Sequence, residues 1–86
     1  MSSERKRSLS IAGHRTSISL EDAFWEALKE IAATENRPVS ALVVDVDSRR
    51  GELNLSSALR LHALAYYQRR AAEREDKASH NDFRRS

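Results

Sequence analysis

Arg15, Ser17 and Ser19 stand at alternate positions in the stretch His14-Arg15-Thr16-Ser17-Ile18-Ser19-Leu20. Residues two apart in an extended chain project from the same face, so one short strand would present a guanidinium and two hydroxyls side by side. The guanidinium can donate two parallel hydrogen bonds to guanine O6 and N7. The Ser17 and Ser19 hydroxyls can donate to or accept from a neighbouring base edge. A plainer reading is also open, in which an exposed strand Arg and solvated Ser residues serve only solubility. Ser19 has a further competing role, because Asp22 completes a capping box with it at the start of a helix.

The other face of the same stretch carries Thr16, Ile18 and Leu20, turned toward a core. Leu9 and Ile11 also alternate with Ser8 and Ser10, as a short strand would, but out of phase with the later residues. A period-two pattern cannot change face without an extra residue or a turn, and Ala12-Gly13 is the natural place for that break. The stretch then supplies one short strand with no clear partner in its own chain. Its backbone donors and acceptors still have to be satisfied. The expectation is an antiparallel pair with the same strand of a second copy, an intermolecular two-stranded ribbon in an intertwined homodimer.

Helical elements follow. Phe24, Ala27, Leu28 and Ile31 fall on one stripe at helical period after Glu21. Asn36 tolerates the left-handed conformation that ends a helix, and Pro38 fits the first turn of a second helix over 38–48. Leu42, Val43 and Val46 form the apolar side of that helix; its β-branched residues need packing to hold it. Asn54 is a good N-cap for a third helix, whose Leu55, Ala58, Leu59, Leu61, Leu64 and Ala65 cover more than one side. Trp25 is expected beneath that helix, and Tyr66 and Tyr67 as packing residues. The chain therefore divides into a basic flexible arm (1–8), a domain (9–67), and a charged helical extension with a disordered tail (68–86). No internal repeat stands out.

Composition narrows the classes. A chain of 86 residues without Cys is near the size where a core alone is marginal, and with no disulfide available, oligomerisation is the expected remedy. His14, His62 and His80 are too dispersed to share a metal, so neither metal nor cofactor is expected. No strained Gly-x-Ser-x-Gly turn or Gly-rich phosphate loop presents a nucleophile, so an enzyme is not expected. No apolar run approaches the ~20 residues that span a bilayer, which points away from a membrane partner and toward the cytoplasm. Net charge is +2, but Arg5, Lys6, Arg7 and Arg15 load the N-terminal quarter. Glu21, Asp22, Glu26, Glu30 and Glu35 follow at once, so the phosphate-attracting end lies at the N-terminus.

Arg15-Thr16-Ser17-Ile18-Ser19-Leu20, a helix, then Asn36-Arg37-Pro38-Val39-Ser40-Ala41-Leu42 resemble the ribbon-helix-helix family of Arc-, MetJ- and CopG-type DNA-binding proteins. Ile11–Leu42, read with 54–67, is similar to a subgroup of short bacterial proteins with an appended third helix. The resemblance implies a mainly α fold with one short strand, its ribbon entering the major groove. It implies base contacts by Arg15, Ser17 and Ser19, and phosphate contacts by Arg5, Lys6, Arg7 and the amides of Val39 and Ser40 at a helix N-terminus. The dimer core would hold Thr16, Ile18, Leu20, Phe24, Leu28, Ile31, Leu42, Val43 and Val46. The sequence departs from the family at Asn36, where Gly is frequent, and at Pro38, where Ser or Thr often caps. Pro lacks an N–H, which removes one donor for an anion.

The function implied is a repressor-like transcriptional regulator binding double-stranded DNA as a homodimer, with higher order possible on DNA. Two alternatives stay open. One is an antitoxin that represses its own operon while its C-terminal segment wraps a toxin. The other is a protein-interaction module, working through the third helix, that no longer binds DNA.

Overall fold

The computed structural model of the protein describes residues 4–11 and 13–85, with side chains up to residue 74. Strand β1 (Glu4–Ile11) and strand β2 (His14–Glu21) form a two-stranded antiparallel sheet. Helices α1 (Asp22–Thr34), α2 (Val39–Arg49) and α3 (Leu55–Arg85) follow.

The strands are joined through Gly13, whose φ of 81° lies in the left-handed region open to glycine. Pairing runs from Glu4 opposite Glu21 to Ile11 opposite His14. This corrects the expectation of a single strand partnered only by a second copy: β2 finds its partner within its own chain. It also corrects the expected flexible arm, because residues 4–8 form the first part of β1; residues 1–3 lie outside the described residues. The physical reason is the phase change itself. Directly opposed residues share a face, and the register sets each odd-numbered position of β1 against an even-numbered position of β2. Leu9 and Ile11 therefore join Thr16, Ile18 and Leu20 on one inward face.

That face closes a core inside one chain. Ile11, Ile18 and Leu20 of the hairpin bury against Leu28, Ile31 and Ala32 of α1, Leu42, Val43 and Val46 of α2, and Ala58, Leu59 and Ala63 of α3. Phe24 is partly buried against the same cluster, and Thr16 is half-buried. The residues expected to meet at a dimer axis are thus packed, wholly or partly, without a second copy.

Local chemistry fixes the helix ends. The amides of Asn36 and Arg37 donate back to the carbonyls of Ala33 and Ala32 (3.1 and 3.0 Å), with Asn36 at φ 59°. Both late carbonyls are satisfied while the chain reverses. Pro38 is the N-cap of α2, with extended backbone, so the helix begins at Val39, one residue later than expected. The Asn54 side chain accepts from the Ser57 amide at 2.8 Å, as an N-cap should. Beyond Gln68, α3 continues to Arg85 where fraying and a disordered tail were expected. The Ala, Arg, Glu and Lys of this stretch are all strong helix formers.

Because α3 contributes fully buried side chains, it belongs to the domain and is no detachable arm. Leu59→Ala should lower unfolding free energy by about 2–5 kcal/mol. Leu61→Ala, at a residue 51% exposed, should cost far less. Urea denaturation of the two variants checks this; equal midpoints would contradict the buried role of α3.

Candidate nucleic-acid interface

The register that buries Leu9, Ile11, Ile18 and Leu20 turns the intervening residues outward. Lys6 stands opposite Ser19, Ser8 opposite Ser17, and Ser10 opposite Arg15. All of these are exposed except Ser19, which is half-buried. Arg15, Ser17 and Ser19 thus share a face as expected, and β1 adds Lys6, Ser8 and Ser10 to it. The result is a ribbon with a basic side chain near each end and four hydroxyls between. A surface of this kind can donate to and accept from base edges, and no carboxylate interrupts it between the two cations.

Ser19 does not close a capping box. Helix α1 begins at Asp22 with Glu21 as N-cap and has no side-chain cap, so the Ser19 hydroxyl lies too early in the chain for that role. Its carbonyl instead accepts from the Ser56 hydroxyl of α3 at 2.7 Å, which ties the β2 edge to the third helix.

The basic residues of β1 separate by face. Lys6 points outward, whereas Arg7 points inward, a correction to its expected phosphate contact. Its guanidinium donates to Asp22 at 2.6 Å and lies 4.8 Å from the Trp25 ring centroid. Trp25, expected beneath the third helix, is covered here by β1. Arg5 shares Arg7's side of the ribbon, remains mostly exposed, and approaches Asp22 at 3.4 Å. At the start of α2 the helical bonds begin with Ala41 and Leu42, both donating to the Pro38 carbonyl (3.0 and 3.3 Å). The amides of Val39 and Ser40 stay outside that ladder, as the first amides of a helix do. Tyr66 and Tyr67 act in packing: their rings meet edge to face at 5.1 Å, and the Tyr67 hydroxyl donates to Glu30 at 2.7 Å.

One residue that shapes the electrostatics escaped the sequence reading. Glu4 and Glu21 are opposed at the open end of the ribbon, where two like charges would repel. Arg60 of α3 lies between them, donating to Glu4 at 2.7 Å and to Glu21 at 2.8 Å. No spacing rule links positions so distant along the chain. Arg60 thereby offsets their mutual repulsion and part of their charge. Among the described residues no group of His, Cys, Asp and Glu could hold a metal, and no helix is long and apolar enough to cross a membrane.

An antiparallel two-stranded ribbon followed by helices that bury its inner face is the architecture of a ribbon-helix-helix protein, and the chain belongs to that family: the ribbon-helix-helix domain matches residues 4–67. In three dimensions it is similar to an uncharacterized protein from Bordetella pertussis Tohama I. The two are 36% identical, with a TM-score of 0.71 over 84% of this chain and 62% of that one. This chain thus spans less than two thirds of that protein's length. No curated protein matches it in sequence.

The Arg60 hydrogen bond, with a further bond to its own backbone, holds the Glu21 carboxyl below its ordinary value of 4.5. A depressed carboxyl pKa stabilises the fold above the ordinary value and loses that contribution as the pH falls through the depressed one. Thermal stability should therefore weaken on acidification below about pH 4.5, in part through this bridge. Glu21→Gln should lessen that acid sensitivity. Melts of both proteins from neutral pH down to about pH 3 check this, and an unchanged slope in the variant would contradict the bridge.

Proposed function

We propose that the chain is a sequence-specific DNA-binding transcriptional regulator, repressor-like, that lays the outward face of its hairpin in the major groove. The observation that carries this reading is the shared face of Lys6, Ser8, Ser10, Arg15, Ser17 and Ser19. Arg15 is the leading base reader, since its fork of donors suits the O6 and N7 acceptors of guanine. Ser17 and Ser19 contribute shorter-range contacts. Lys6 is reassigned here from the backbone to the base edges, while Arg5 and the amides of Val39 and Ser40 are left to meet phosphates. Arg7 is committed to Asp22 and Trp25 and takes no part.

Proteins of this family generally bind DNA as dimers. Since the core closes within one chain, a homodimer would join through other surface. The apolar strip of Leu61, Leu64 and Tyr67 beside Phe24 and Ala27 suits a second copy, which would bring two ribbons to one duplex. That assembly, acting in the cytoplasm, is the working form of this reading. The same strip would serve if the protein were an antitoxin or an interaction module, and absence of duplex binding at low salt would favour those.

Selection from a random duplex pool, sequenced at two salt concentrations, tests the proposal. A single enriched motif is expected, and Arg15→Ala should cost roughly 1–3 kcal/mol on it and relax preference at a guanine. Ser17→Ala should cost less. If Arg15→Ala changes neither affinity nor preference on the best duplex, the ribbon is not the reading surface.

A further inference from the structure

Helix α3 carries Arg70 and Arg74 one turn apart, a spacing at which like charges destabilise a helix. The residues three and four positions from Arg74 are Arg70, Ala71, Lys77 and Ala78, so helical spacing offers it no acid. Neither guanidinium is ion-paired among the described residues, in contrast to Arg7, Arg37 and Arg60. Both line a cleft of about 420 Å³ between α3 and the last two turns of α1, together with Glu30, Thr34, Tyr66 and Tyr67. That volume falls within the range of about 300–1,000 Å³ typical of small-molecule sites.

The hydrogen bonds already made in the cleft decide what it has left to offer. Arg70 donates to the Tyr66 hydroxyl at 3.2 Å, and its guanidinium lies 5.7 Å from the centroid of that ring. The cation is thus held in place, and the Tyr66 oxygen serves as acceptor while its own O–H stays free to donate. The carboxylate of Glu30 accepts the Tyr67 O–H at 2.7 Å. Thr34 donates its hydroxyl to the Glu30 carbonyl at 2.9 Å. What remains are the unused N–H groups of two guanidiniums and the proton of one phenol, all of them donors. Two cations against one carboxylate also leave the cleft net positive.

We propose that this cleft binds a small organic oxyanion, a phosphate ester or a carboxylate, held by Arg70, Arg74 and the Tyr66 hydroxyl. Bonds from a guanidinium to such oxygens are roughly twice as strong as neutral ones, and the anion relieves the repulsion between the two arginines. The phenol rings and Ala71 give apolar surface to the rest of the ligand. Arg70 lies ten residues beyond Arg60, roughly 15 Å along the helix. The cleft is therefore separate from the outward face of the ribbon, and the inference holds whether or not that face reads DNA.

The test titrates the full chain with inorganic phosphate and, separately, with succinate, at an ionic strength held constant with chloride. Amide NMR should show saturable shifts around Tyr66, Arg70 and Arg74 with at least one of the two anions. The tighter binder tells a phosphate ligand from a carboxylate. Arg70→Gln with Arg74→Gln should weaken that binding about tenfold or more. The same double variant should melt no lower than the wild type without ligand, since a like-charge pair is removed. Tyr66→Phe should weaken binding by a smaller factor. No saturable shift from either anion, shifts confined to the face of Lys6 and Arg15, or unchanged affinity in the double variant would overturn the proposal.

Discussion

The backbone pairing of β1 with β2 is the constraint from which the other features follow. It satisfies the hydrogen-bonding groups along the inner edges of both strands and fixes which residue opposes which. With that register, apolar residues of both strands fall on one face and polar ones on the other. The inner face then supplies Ile11, Ile18 and Leu20 to a core that the helices complete. A slip by one residue would exchange the faces of one strand, burying hydroxyls and a lysine and exposing leucine and isoleucine. The hydrophobic effect and the candidate site are thus bound to a single alignment.

Helices α1 and α3 guard that alignment toward the open end of the ribbon. Helix α1 holds β1 through Arg7, Asp22 and Trp25, a contact in which a cation, a carboxylate and an aromatic face meet at the sheet's inner margin. Helix α3 holds β2 through the Ser56 bond to the Ser19 carbonyl and holds both strands through Arg60. The third helix is therefore an anchor of the ribbon as well as part of the core.

Much of this was legible in the sequence, and the failures have physical causes. The stripe of Leu28 and Ile31, the left-handed Asn36 and the cap at Asn54 each rest on local rules and lie where those rules put them. The outward set of Arg15, Ser17 and Ser19 needed only the period of a strand. The first half of strand β1 was hidden because Arg5 and Arg7 occupy positions where an amphipathic strand would carry apolar residues, so the alternation over residues 8–11 looked too short to pair. Arg7 is tolerated there because Trp25 and Asp22 receive its guanidinium, a tertiary contact that no pattern within residues 4–11 reveals. Without β1 as a strand, β2 had no partner in its chain, and a second copy was invoked. Arg60 was missed for the related reason that its partners, Glu4 and Glu21, come together only after the hairpin forms.

The reverse turn at Gly13 joins strands that are neighbours along the chain, and this bears on how the protein comes to exist at low copy number. A ribbon assembled from two molecules has to wait for an encounter whose frequency falls with dilution. A ribbon closed through a short turn forms by local search, on the microsecond scale typical of hairpins, however few molecules are present. Each newly made chain can acquire its polar face as it folds, before any partner is met. Changes in expression level would then alter how many such surfaces exist, without altering the fraction that are properly formed.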